Sequence, residues 1–243
     1  DIILLRSPAA PNNGINGIYT SSDTGVKDPE MELSEMIEEK IDIATQDGAM
    51  ETFLCWPERD QPYPAIFLLM DAPGIREELR DMARRLSTVG YFVALPNLYY
   101  RAGRDTTFGP TVLEENSPEW TKMRAIRTKM TIPPVMRDIG ELLEFTKTRT
   151  EVRPGLAGCH GYCMSGPYAL AAAARYPNEI GAAASFYGTW LVSDAEESPH
   201  KTFAKDNAEV YIGCAEHDDL APLPMVEKLK NNFKNSQAPG EIE

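Results

Sequence analysis

Long apolar runs are missing from this chain: across 243 residues no hydrophobic stretch approaches the roughly 20 needed to cross a bilayer, so no transmembrane helix is expected. The N-terminal Ile2-Ile3-Leu4-Leu5 is too short for the apolar core of a signal peptide. Cysteine is scarce as well. Cys55, Cys159, Cys163 and Cys214 are unevenly spaced and do not form a disulfide framework, so reduced thiols and a cytoplasmic setting are expected. Basic residues are in deficit, with 24 Lys and Arg against 37 Asp and Glu, a formal net charge of -13. Binding a polyanion needs clustered cations, so neither nucleic acid nor an anionic membrane is an expected partner. No internal repeat is visible, and histidine occurs only three times, as His160, His200 and His217.

What is present is enough for one α/β domain: 42% hydrophobic and 25% charged residues in a chain of ordinary domain length. Residues 1–35 are rich in Pro, Asn, Gly, Ser and Asp and read as an arm or linker. From residue 36 to 243 the pattern is that of a folded domain. Lys40 to Ala44 alternates, Gly48 marks a turn and Met50 to Trp56 resumes, which predicts a β-hairpin. Apolar runs at 64–70, 91–95, 156–160, 180–187 and 208–214 predict buried strands. Helical spacing over 75–88, around 135–143, over 164–176 and over 222–233 places helices between them. Such alternation predicts a mostly parallel central sheet with helices on both faces. Residues 99–130 are polar and basic without a clean period, and are expected to run over the sheet near a site.

The most telling stretch is Gly161-Tyr162-Cys163-Met164-Ser165-Gly166, which puts a cysteine where a strand should turn sharply into an Ala-rich helix. In a turn of that kind the residues two before and two or three after the nucleophile must be small, because strand and helix nearly touch. Gly161, Ser165 and Gly166 meet the demand. A cysteine there stands above the sheet at the positive end of a helix, which favours thiolate over thiol. The Met164 N–H would then face the oxyanion of an acyl intermediate. The competing reading is a buried structural thiol on a glycine-rich strand end.

Over roughly residues 36 to 243 the chain resembles the dienelactone hydrolase family of α/β-hydrolases. The cysteine elbow carries the resemblance, with Ser165 where glycine is usual, as do Pro96-Asn97-Leu98-Tyr99-Tyr100-Arg101 and the acid loop Ala215-Glu216-His217-Asp218-Asp219-Leu220-Ala221-Pro222. The resemblance implies the α/β-hydrolase fold and hydrolysis of an ester or lactone by acyl transfer through Cys163. In the acid loop an Asp stands four residues before a Pro, which selects Asp218 over Asp219 as the carboxylate that orients a histidine. By the same resemblance Asp71 interacts with the resting cysteine, and Ala72 offers a second oxyanion N–H. Arg101 matches an arginine that binds a substrate carboxylate. A small-molecule ester or lactone is the implied partner, carboxylated if Arg101 serves that role, and no cofactor or metal is implied.

A histidine is still needed to take the thiol proton and later activate water. His160 precedes the elbow, His200 sits in a polar loop and His217 adjoins the acid, so none stands after the acid and beyond one further strand. The chain opens on Asp1, and Glu241-Ile242-Glu243 reads as the start of that strand. The expectation is therefore a truncated domain whose histidine, with a last strand and helix, lies beyond residue 243. Two alternatives remain open on the sequence. Cys159, His160, Cys163, Cys214 and His217 are residue types that suit zinc, although strand alternation sends neighbours to opposite faces. A non-catalytic binder on a hydrolase fold is the other.

Overall fold

Alternation and the Gly48 turn build the first two strands. β1 (Met36–Thr45) and β2 (Gly48–Pro57) pair antiparallel with Thr45 opposite Gly48, a two-residue turn in which Gly48 takes a φ of 136°. The computed structural model describes residues 36–203 and 208–243; the expected 1–35 arm lies outside the described residues. After the hairpin come β3 (Ala65–Leu69), α1 (Glu77–Thr88), β4 (Phe92–Pro96), α2 (Pro118–Arg127), α3 (Ile132–Lys147) and β5 (Ala157–Tyr162). The chain continues with α4 (Gly166–Arg175), β6 (Ile180–Phe186), β7 (Glu209–Gly213), α5 (Leu223–Ser236) and β8 (Gly240–Ile242).

These strands form one sheet in the order β1-β2-β4-β3-β5-β6-β7-β8. β1, β2 and β4 are joined antiparallel, and every pairing from β4 to β8 is parallel, as the alternation of strands and helices predicts. The register separates two faces. Phe67 pairs with Cys159 and with Ala94, so these share a face; Leu68 pairs with His160 on the other. α4 packs against β5 and β6, where Cys159 and Ala183 are buried, and α1 packs against β2 and β4 on the opposite face. Phe67, Leu68, Leu69 and Met70 are all fully buried, which explains why β3 reads as an unbroken apolar run rather than an alternating one.

The excursion at 99–130 departs from expectation by containing a helix. Ser117 caps α2 by accepting from the Trp120 N–H at 3.0 Å, and Pro118 stands at its first position. The Ser-Pro pair is a start signal that a search for apolar periodicity passes over, because only Met123 of α2 is buried.

Chain order places the site. From β3 the chain moves to β4 on one side, then returns to place β5 on the other, so the strand order reverses between β3 and β5. In open α/β sheets ligands bind in the crevice beyond the carboxyl ends of the strands at that point. β5 ends at Tyr162, and α4 begins after a 3₁₀ turn, Cys163–Ser165. A Cβ added at Gly161 would overlap the Ser165 carbonyl group, and one at Gly166 would lie 2.7 Å from the Gly188 Cα. Gly158, on the same strand, would meet only Ile66 Cγ1 at 3.5 Å.

Gly161→Ala should therefore cost about 1–3 kcal/mol through overpacking against backbone that cannot yield, while Gly158→Ala should leave the thermal midpoint close to wild type. Paired melting curves followed by circular dichroism check this, and equal midpoints for the two variants would contradict the packing argument.

Candidate active site

The strand ends converge on Cys163. This residue holds a φ of 51°, in the left-handed region that a side chain other than glycine rarely occupies. Such strain persists only where the surroundings over-determine it. Here the Thr189 N–H donates to the Cys163 carbonyl at 3.0 Å from the loop after β6, and the Ser165 hydroxyl donates to the Met70 carbonyl at the end of β3. The serine that stands where glycine is usual is thus fully buried and ties the elbow to the neighbouring strand end.

Ala72 and Met164 lie on either side of that junction and are both buried. Tyr99, which follows β4 and is fully buried, bridges them: its hydroxyl donates to the Ala72 carbonyl at 2.8 Å and lies 3.3 Å from Met164 Sδ. The Asn97 side chain accepts from the Tyr99 N–H at 3.0 Å and sets the tyrosine's entry. Tyr99 holds the carbonyl of Ala72, and the Ala72 N–H, which belongs to the preceding peptide unit, makes no backbone hydrogen bond among the described residues. The Met164 N–H acts on the Cys163 thiol by favouring its ionised form. Asp218, half-buried in the loop after β7, turns that loop by accepting from the Leu220 N–H at 2.8 Å, while Asp219 is exposed.

The charges around the thiol oppose one another. Burial is the largest influence and raises the Cys163 pKa; Arg127 and the Met164 N–H lower it, and Asp71 and Asp218 raise it. The helix-end location alone predicts a ready thiolate. Desolvation outweighs it, so the thiol is harder to ionise than a free cysteine.

Two arginine and aspartate expectations need correction. Asp71 does not hydrogen-bond the cysteine; its carboxylate is held by Arg76 through two bonds of 2.5 and 2.9 Å, and it acts on the sulfur through charge alone. Arg101 does not join the site. Its guanidinium lies between Asp138, 1% exposed, at 2.7 Å and Asp47 at 2.7 Å, tying α3 to the hairpin turn. Four hydrogen bonds to two carboxylates already neutralise this fork and leave it a single N–H, short of the paired donors a substrate carboxylate would need. The arginine linked to the Cys163 backbone, through Thr189, is Arg127, the last residue of α2, whose Nη2 donates to Thr189 Oγ1 at 2.7 Å and whose guanidinium lies 3.4 Å from the Trp190 ring centroid. Arg127 and Thr189 escape a reading by motif, Tyr99 stands in a recognised segment that gives it no role, and only the Ser-Pro start of α2 signals that 118–127 delivers a defined side chain.

The three histidines stand apart. His200 Nδ1 pairs with Ser198 Oγ at 2.8 Å, His217 is exposed beside the acid, and His160 packs edge-on to Tyr162 and Phe186. Among the described residues none of them hydrogen-bonds Cys163 or Asp218. Nor do three or more His, Cys, Asp or Glu side chains converge as a metal site among the described residues, since Cys159 and His160 occupy opposite faces of β5. No helix among the described residues is long and apolar enough to cross a membrane.

Burial holds the His160 pKa down, at about 4 against 6.5 for the free side chain. The unfolded chain therefore takes up the extra proton, and the contribution of this residue is complete above pH 6.5 and lost as the pH falls toward 4. The thermal midpoint should fall across that window, and His160→Leu should flatten the fall; an identical slope in the variant would refute the assignment.

Comparison with known proteins places this geometry among relatives. The model of the dienelactone hydrolase family matches residues 50–243. A Methylorubrum extorquens protein named "Putative carboxymethylenebutenolidase" is 28% identical over 199 residues, 80% of this chain and 65% of the relative. The carboxymethylenebutenolidase of Rhodococcus opacus is 26% identical over 180 residues, 73% of this chain and again 65% of the relative. The chain thus spans slightly under two thirds of either protein. Among solved structures, a Klebsiella pneumoniae protein titled "Putative Dienelactone Hydrolase" superposes with a TM-score of 0.72 at 24% identity, over 86% of this chain and 85% of that one, which shows the α/β-hydrolase fold.

Proposed function

The chain belongs to the dienelactone hydrolase family, and on that premise we propose that it hydrolyses a small ester or lactone by acyl transfer through Cys163. The observation that carries the reading is the left-handed Cys163 at the carboxyl end of β5, next to the reversal of strand order. The thiolate would attack the carbonyl carbon, and the carbonyl oxygen would take the electron pair as an oxyanion between the N–H groups of Met164 and Ala72. Collapse of that intermediate expels the alcohol, which takes a proton as it leaves, and forms a thioester; water then releases the acid and restores the thiol. Tyr99 serves by packing its hydroxyl between the Ala72 carbonyl and the Met164 side-chain sulfur.

The base in both half-reactions is read as a histidine oriented by Asp218. The order nucleophile, acid, histidine along the chain requires it to follow Asp218. His160, His200 and His217 all precede that position and lie elsewhere, so the histidine is assigned to sequence beyond residue 243. Reading the gene past codon 243 tests the assignment directly. A small-molecule binder on the same fold is the second reading, favoured by the want of an imidazole beside Cys163 among the described residues.

The chain as given should acylate and then stall. With 4-nitrophenyl acetate it should release a burst of about one equivalent of nitrophenol per protein, absent in Cys163→Ala, followed by slow turnover. Extending the chain to include the histidine should raise turnover by roughly 10²–10⁴-fold. No burst, or an equal burst in Cys163→Ala, would favour the binder. In the extended chain Asp218→Asn should lower kcat far more than Asp219→Asn; equal effects would remove Asp218 from the relay.

A further inference from the structure

Arg127 is a half-buried cation without a carboxylate counter-ion among the described residues. Among the described residues it forms no ion pair with a carboxylate; its Nε is enclosed and unbonded, and its one hydrogen bond goes to a neutral hydroxyl. The other arginines with enclosed guanidinium groups are neutralised: Arg76 by Asp71, Arg101 by Asp138 and Asp47, Arg149 by Glu39 and Glu151. Taking a charge out of water costs several kcal/mol unless an opposite charge compensates. An uncompensated guanidinium beside a nucleophile therefore calls for an anion.

We propose that this anion is the Cys163 thiolate, and that Arg127 is the positioning residue that keeps the sulfur ionisable in a buried site. The proposal rests on the reading of Cys163 as the nucleophile. Its geometric basis is Thr189, which serves both partners: the hydroxyl accepts from Arg127 Nη2 at 2.7 Å while the backbone N–H donates to the Cys163 carbonyl at 3.0 Å. One residue thus fixes the guanidinium relative to the backbone of the cysteine. Trp190 completes the mount, with the guanidinium stacked 3.4 Å from its ring centroid and its own φ of 59° held in the left-handed region. The loop from Tyr187 to Trp190 carries two such strained residues, Tyr187 at 41° being the other, and aiming Arg127 is the use to which that strain is put.

The remaining groups around the sulfur do not offer a positive charge. Asp71 after β3 and Asp218 after β7 are acidic, and Tyr99 after β4 and Tyr187 after β6 would add negative charge if they ionised. On α4, Tyr168 faces Arg127 and has its pKa pushed up to about 12 by burial, so it stays neutral. Arg124, on the same helix as Arg127, repels it and stacks on Trp120 instead. Arg127 is then the cation that opposes desolvation of the thiol, consistent with its lowering influence there.

The test is the pH profile of Cys163 alkylation by iodoacetamide, in which the thiolate displaces iodide, followed by mass spectrometry of the Cys163 peptide. Turnover is not required, so failure of this idea and failure of the hydrolase reading are separable: the nitrophenol burst tests the latter. Arg127→Met should move the midpoint up by about one unit or more, an alkylation rate roughly tenfold lower on the acidic limb. Arg127→Lys should restore most of the shift, and Thr189→Val, near-isosteric at a buried position, should move the midpoint in the same direction by less. A midpoint unmoved in Arg127→Met, or moved equally in Arg127→Lys, overturns the proposal. If Arg127→Met does not fold, an unmoved midpoint in Thr189→Val overturns it.

Discussion

The arrangement of this molecule depends on how closely the end of β5 approaches the start of α4. At that crossing there is no room for a Cβ at Gly161 or Gly166, and Gly188, from the loop after β6, is pressed against the same spot. The closeness forces the intervening residue, Cys163, into a left-handed backbone, and that conformation lifts its side chain out of the sheet. Hydrogen bonds from Ser165 to Met70 and from Thr189 to Cys163 then lock the strand ends of β3, β5 and β6 together. Tyr99, against Ala72 and Met164, and Arg127, through Thr189, reach this junction from other parts of the chain.

Around it the protein balances burial against charge. Enclosing a thiol makes it harder to ionise, and enclosing carboxylates beside it makes matters worse. The structure answers each enclosed charge separately. Asp71 is neutralised by Arg76, which limits its field at the sulfur, and Arg101 and Asp138 neutralise each other far along the α3 side of the hairpin turn. Arg127 has no carboxylate among the described residues and is tied through Thr189 to the Cys163 backbone.

Much of the fold is legible from local pattern. The alternation of β1 and β2, the unbroken apolar run of β3 and the helical period of α1 each reflect burial on one face or two, which a linear sequence records directly. The elbow is legible for a related reason, since a steric limit on three nearby positions leaves small residues at fixed spacing. The choice of Asp218 over Asp219 comes from the resemblance in the acid loop; in the structure Asp218 is half-buried and Asp219 exposed. α2 was harder, because a helix with a single buried residue has almost no apolar period to show.

Arg101 and Arg127 mark where such reading stops. Both are arginines in the same polar stretch, and motif position favours the first. Its donors are taken by Asp47 and Asp138, which stand 54 and 37 residues away in the chain. Arg127 reaches Thr189 across 62 residues, and Tyr99 reaches Met164 across 65. The sequence by itself determined which segments become strands and helices, and that a cysteine occupies the sharp turn, because those follow from neighbours a few positions apart. Only the tertiary structure decided which arginine is tied through Thr189 to the cysteine backbone and which tyrosine bridges Ala72 and Met164, because ion pairing and hydrogen bonding are settled between side chains that the sheet brings together from distant parts of the chain.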